Sequence, residues 1–443
     1  MVLIVRLPLK IRRFRLPQTL WGFPVAARSG SDSPDASSSR AGGNRGVALL
    51  MAVMMIALMI VFAADSIVSS QVDLQLAVIQ RNRIRAEYAA KSGFNLATFL
   101  LAADLAKDLT LGSTPALQKL GLGDVNIRLW ELLNQMPPIG GEDAETMQSF
   151  AKAFGLSNIL DSAVLDQLKW IEATFATTVS DEQQKIDVNY CSSGAREPCA
   201  AVRAMMTALF SCPAEKSFLA RKKLTPMELS ARIQDWVDPD SRAESESGFT
   251  DESDPYQRRK KPFKAKNGPL DSVDELRMIE GWDEEVHAVF SPYLTAFPIW
   301  KKREDRARIN LNSAPRELLQ CLFQDAGPER FKKLAQLLKL RDTEFKQIAG
   351  KDRPVDQVIS ELFGYSRGGE ASGNQPGNQS DPANKAAWFG KMSQTYRINV
   401  KASSGETQRE LEAVIERIVP DGSASGANMS SRASYRILHW RFL

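Results

Sequence analysis

The residues most capable of chemistry form an acidic segment from Asp235 to Asp254. It contains Asp235, Asp238, Asp240, Glu244, Glu246, Asp251, Glu252 and Asp254, separated mainly by Ser, Gly and Pro. Hard oxygen donors in a polar segment suit Ca²⁺, which takes about six to eight of them. The EF-hand spacing D-x-[DN]-x-[DN]-G is absent. The bland alternative is a solvated acidic loop, and composition alone favours it.

The four cysteines are Cys191, Cys199, Cys212 and Cys321. An even number in an exported chain is compatible with disulfides. If AVRAMMTALF is a helix, Cys199 and Cys212 lie about 20 Å apart and do not pair. Two arrangements remain: Cys191–Cys199 with Cys212–Cys321, or Cys191–Cys212 with Cys199–Cys321. Two unbonded pairs are the third option. The two histidines, His287 and His439, are too few for a histidine-rich zinc site. His287 sits beside Glu284 and Glu285 and reads as a surface residue. No Gly-rich phosphate loop, nucleophile elbow or HExxH is present, so the chain does not read as an enzyme.

These groups must be positioned by elements that the hydrophobic pattern announces. Residues 47–64, VALLMAVMMIALMIVFAA, contain no charged or strongly polar side chain. As a helix they nearly span a bilayer core of about 30 Å. Residues 1–46 carry eight Lys/Arg against two Asp. Positive flanks stay cytoplasmic, so the bulk of the chain is expected outside. Without those 46 residues the formal charge of +4 falls to −2, which argues against general nucleic-acid affinity. The helical pattern continues past the apolar run to about Leu109, with Gly93 its one glycine. WIEATFATTV and the stretch around Ile186 read as strands, as do the two arms around Ser404-Gly405. SYRILHWRFL is a last strand or a tail. Between these groups the sequence is mostly helical. Residues 364–385 and 420–434 read as polar loops.

An Arg45-Gly46 junction ahead of an apolar helix that runs on as an amphipathic one resembles type IV pilins and type II secretion pseudopilins. The resemblance implies prepilin-peptidase cleavage after Gly46 and N-methylation of Val47. The fifth mature position, usually Glu, is here Met51. Lack of that carboxylate, and the ordered blocks DEQQKIDVN, ELSARIQDWVDPD, DESDPY, NGPLDSVDELRMIEGW and INLNSAPRELLQCL, resemble the protein K family of large minor pseudopilins. Residues 119–160 match nothing in it.

The resemblance implies an α+β, pilin-like fold: a long N-terminal helix packed on a small antiparallel sheet, with a large all-helical inserted domain. The implied layout is a cleaved leader at 1–46, a transmembrane part at 47–64, and the first half of the pilin-like domain at 65–195. The insertion takes 196–390, as two helix-hairpin-helix-like subdomains (196–302 and 303–390), and closing strands and a tail take 391–443. It further implies Ca²⁺ at Asp238, Asp240, Asp251, Glu252 and Asp254. The expected role is to cap the pseudopilus tip and help initiate its assembly. The expected partners are the minor pseudopilins I and J, prepilin peptidase and the inner membrane, with no nucleic acid. The competing class is a membrane-anchored helix-hairpin-helix DNA-uptake protein. It rests on INLNSAPRELLQCL, where Ser313 would cap a helix and Pro315 suit its first turn. Against it, the residues after Gly281 are acidic and repel phosphate.

Overall fold

The computed structural model describes residues 44–110, 128–140, 149, 172–193, 196–244, 251–298, 308–324, 327–344, 348–349, 353–363, 388–418 and 434–443. Most of the expected leader, much of 119–160 and nearly all of both polar loops lie outside the described residues. Two compact units divide the chain, Met1–Val72 and Asp73–Leu443. Helix α1 (Asn44–Thr110) contributes to both. In the first unit its side chains from Gly46 onward are exposed, over a window of mean hydropathy 2.9. A surface that apolar is stable in lipid rather than in water. Gly46 and Val47 lie within the first turns of this helix.

In the second unit α1 packs on a four-stranded antiparallel sheet of order β1-β6-β7-β8: Thr174–Asp181, Thr395–Ser404, Thr407–Ile418 and Ser434–Phe442. Buried helix residues include Ala86, Ala89, Ala90, Phe94, Ala97 and Leu101, at the three- and four-residue steps that share one helix face. They meet Phe175, Val179, Ile398, Val400, Leu411 and Ala413. Small residues let the helix approach closely. A Cβ at Gly93 would come within 2.6 Å of Thr177 Oγ1 and of a Val400 methyl. A short helix α2 (Leu129–Leu133) packs against β1 and adds Trp130 and Leu133 to the same core. After it, Asn134 brackets Val179, donating to its carbonyl at 2.8 Å and accepting from its amide at 2.7 Å.

The sheet is interrupted in sequence between β1 and β6, and the interruption is helical. The pilin-like α+β class expected from the sequence is the one observed. The insertion holds α3 (Arg196–Phe210), α4 (Pro213–Arg221), α5 (Pro226–Val237), α6 (Asp254–Gln257), α7 (Glu284–Phe290), α8 (Arg316–Leu322), α9 (Pro328–Glu344) and α10 (Val355–Phe363). Two short parallel pairs accompany them: β2 (Ile186–Asp187) with β3 (Leu294–Thr295), and β4 (Ile309–Asn310) with β5 (Phe389–Gly390). One apolar core runs from Ile186 to Phe389. It takes in Val188 and Tyr190, ahead of residue 196, and passes through the division expected near 302. Disulfides join Cys191 to Cys199 and Cys212 to Cys321, the first of the two arrangements compatible with the sequence. The second closes a separation of 109 residues and ties the start of α4 to α8.

Sheet and insertion meet at Asp181. Its Oδ2 accepts from Ser393 Oγ at 2.5 Å, from Asn310 Nδ2 at 3.2 Å and from Ser313 Oγ, while Oδ1 accepts from the Gln183 amide. Burial raises the Asp181 pKa against these donors. Ser313 is therefore not the cap of α8. Pro315 holds the N-cap position, without a side-chain cap bond, and the Asn-x-Asn-Ser motif serves this joint. Asn312 likewise brackets Ala349, accepting from its amide at 2.9 Å and donating to its carbonyl at 2.8 Å.

Candidate metal centre

Helix α5 sets the first acid of the centre. Thr225 caps its start by accepting from the Glu228 amide at 3.2 Å, and Pro226 suits its first turn. At the far end Pro239 cannot continue the helix, and Asp238 turns to extended backbone as C-cap. The chain then folds back. Asp235 accepts from the Glu244 amide at 2.8 Å, and Asp240 makes a local turn by accepting from the Arg242 amide at 2.9 Å. Arg242 bridges antiparallel to Asp251, and the Glu252 amide donates to the Ser241 carbonyl at 3.3 Å. This crossing brings Glu252 back over Asp238 and Asp240.

One oxygen from each of Asp238, Asp240 and Glu252 lies within 4.8 Å of the others. Asp238 and Glu252 are buried, and Asp240 is exposed. Asn267, with backbone in the left-handed region at φ 46°, completes the enclosure. Its Nδ2 donates to Glu252 Oε2 at 2.9 Å and to the Asp240 carbonyl. Three buried oxygens there have no donor: Asp238 Oδ1, Glu252 Oε1 and Asn267 Oδ1. No basic side chain pairs with the three carboxylates among the described residues.

The electrostatics follow from that crowding. Burial pushes Asp238 up to about 6, with Asp240 and Glu244 acting the same way. Burial pushes Glu252 up to about 9, reinforced by Asp238, Asp235 and Asp240. Like charges in a partly desolvated pocket disfavour ionisation unless a cation joins them. The donor set is entirely oxygen, and three of its buried acceptors have no hydrogen-bond donor. Two oxygens on one Ca²⁺ at about 2.4 Å each are separated by no more than about 5 Å. The residues present therefore fit Ca²⁺, and the absence of thiol and imidazole disfavours zinc or copper.

Of the five expected ligands, three are brought together. Asp251 and Asp254 stand outside the cluster. Asp251 is exposed and makes its own turn by accepting from the Ser253 amide at 2.8 Å, and Asp254 opens α6. Asn267 was not among the expected ligands; its only signal in the sequence is its place at the head of the NGPLDSVDELRMIEGW block. His287 is not a surface residue. It is 7% exposed, accepts from Trp282 Nε1 at 3.2 Å, and points Nε2 toward Asp274 at 3.5 Å. After Gly281, Asp283 caps α7 and pairs with Lys222 at 2.6 Å, and Glu284 pairs with Arg277 at 2.8 Å. That turn presents carboxylates, which repel phosphate.

The fold and the site define a class: a chain with an apolar helix of membrane-spanning length, whose amphipathic continuation packs on an antiparallel sheet interrupted by an acidic-centred helical domain. Within that class, residues 204–299 match the family model of type II secretion system protein K. The matched stretch contains all four residues of the centre.

Three curated relatives bear the name type II secretion system protein K. The protein of Klebsiella pneumoniae is 28% identical over 149 residues, 33% of this chain and 42% of that one. That of Aeromonas hydrophila is 30% identical over 102 residues, 22% and 29% of the two chains. That of Pectobacterium carotovorum subsp. carotovorum is 27% identical over 86 residues, 19% and 24%. The matches thus span less than half the length of each relative. A crystal structure of the GspK–GspI–GspJ complex from the enterotoxigenic Escherichia coli type 2 secretion system is similar at a TM-score of 0.41 and 17% identity. It covers 61% of this chain and 80% of that one. This chain resembles type II secretion system protein K.

Proposed function

We propose that the chain is a minor pseudopilin of a type II secretion system, a binding and assembly protein rather than a catalyst. The observation that carries this reading is the protein K match over residues 204–299, in a helical domain inserted between β1 and β6. Residues 47–64 would anchor it in the inner membrane, with the basic leader cytoplasmic and the bulk periplasmic. Prepilin peptidase would cut between Gly46 and Val47. Met51 leaves the mature fifth position without a carboxylate, which would be costly in lipid with no neighbour to pair it. That suits the last subunit of a fibre. Its partners would be the minor pseudopilins I and J, with which it would cap the pseudopilus and start its assembly, for export of folded proteins across the outer membrane. The test is co-expression of the full chain with the I and J subunits of the same system, followed by affinity capture from detergent. The reading expects a three-subunit complex; capture of the chain alone counts against it.

The same reading assigns Ca²⁺ to the acidic centre. Asp238, Asp240 and Glu252 would hold the ion, with Asn267 Oδ1 as a further oxygen. The ion would supply charge neutralisation. The chain's own residues would do the rest. Asp238 fixes the end of α5, Asp240 the turn after it, Glu252 the returning segment and Asn267 the loop beyond. Ligation would join four separate points of the insertion.

A further inference from the structure

The segment after the acidic centre has the opposite charge. Residues 258–266, RRKKPFKAK, include six basic side chains. Arg259 and Lys266 are committed within the fold, and Arg258 also has a partner. Arg259 pairs with Glu280 at 2.6 Å and lies over the rings of Tyr256 and Phe263, at 5.2 and 5.3 Å. Lys266 pairs with Asp271 at 3.0 Å and Glu275 at 2.7 Å. Lys260, Lys261 and Lys264 are exposed, and among the described residues none has an ion pair or hydrogen bond.

The loop that carries them is fixed at several points. Phe263 stacks on Tyr256 at 5.2 Å and meets Trp236 edge-on at 6.1 Å. The Ala265 amide donates to Ser253 Oγ at 3.2 Å. The Cα atoms of Lys260 and Lys264 are at most about 14 Å apart. At physiological salt that is under about two Debye lengths, so the ammonium groups repel one another in the free protein. A bound anion relieves the repulsion.

We propose that this loop is a docking surface for an acidic polypeptide segment of a partner protein. The inference goes beyond the pseudopilin reading and does not require calcium. The loop's one ring, Phe263, is turned inward, so the surface offers ammonium groups without an aromatic anchor for a bilayer. Lysine ammonium groups are strongly hydrated point charges that suit dispersed carboxylates.

The test uses the full chain in non-ionic detergent, with labelled poly-L-glutamate as the probe. The variant K260E/K261E/K264E removes the surface. The variant K339E/K391E/K401E changes net charge equally at exposed lysines elsewhere. Both are checked for an unchanged melting transition, and the same lysines changed to Gln replace any set that unfolds. Exposed charge pairs are individually weak but three are reversed together, so the loop variant should bind about tenfold or more weakly and the control variant less than twofold. The salt dependence should flatten in the loop variant alone. Equal loss in both variants, or no loss in either, overturns the proposal. So does displacement of the probe by phosphatidylglycerol mixed micelles at lower concentration than by unlabelled poly-L-glutamate, which would assign the surface to lipid.

Discussion

At the scale of single residues, the acids were legible and their grouping was not. Sequence offers carboxylates between Asp235 and Asp254 at almost every step, and only the Arg242–Asp251 crossing selects Asp238, Asp240 and Glu252. Asn267 joins them because its left-handed backbone turns the chain back. We expect calcium to raise the melting temperature of the chain and a chelator to lower it. At free calcium a hundredfold above its dissociation constant the gain is about 2.7 kcal/mol. Asp240→Asn with Glu252→Gln should abolish the difference, and identical melting of the wild type in both conditions would leave the acids a solvated loop. His287 was misread because its acidic neighbours masked Val286 and Phe290, which are buried with it. Burial, and then Arg277, lower its pKa, partly offset by Asp274 and Glu284. The unfolded value is higher, so stability from neutral His287 is present above about 6.5 and is lost as pH falls below it through the folded pKa. Protonation at Nδ1 would also remove the acceptor of Trp282. His287→Gln, which keeps an acceptor, should show a smaller fall in melting temperature between pH 7.5 and 5.5 than the wild type. An equal fall would assign the acid sensitivity to other groups.

At the scale of elements, the long helix, the β6–β7 hairpin and the mainly helical middle follow from periodicity and turn chemistry. Gly405 takes φ 55° at that hairpin, as Ser-Gly there implied. The role of Gly93 was not legible, since a lone glycine in a helix carries no mark of what lies beside it. The sheet explains it. Replacing an exposed helical glycine by alanine stabilises by up to about 1 kcal/mol. At Gly93 the added methyl meets Thr177, Val400 and Phe175, so Gly93→Ala should instead destabilise by about 1–3 kcal/mol, measured by denaturant unfolding. A neutral or stabilising result would mean that α1 sits farther from the sheet. The last segment, read as strand or tail, is a strand paired with β7, and its Trp440 ring meets Phe94 edge-on at 4.9 Å.

At the scale of the whole molecule, strands distant in sequence close one sheet around the insertion, which the change of hydrophobic period at both ends foretold. The short parallel pairs and the Asp181 joint were beyond reach, because two-residue strands leave no period and a buried carboxylate looks in sequence like an exposed one. The proposed pseudopilin identity of this architecture is open to test at the N-terminus. The full chain, co-expressed with a prepilin peptidase and recovered from membranes, is to be sequenced from its N-terminus and weighed by mass spectrometry. A pseudopilin yields a chain beginning at N-methylated Val47. Persistence of the unprocessed chain, or a new terminus at the far end of the apolar run as a cleaved signal peptide would leave, would contradict that identity.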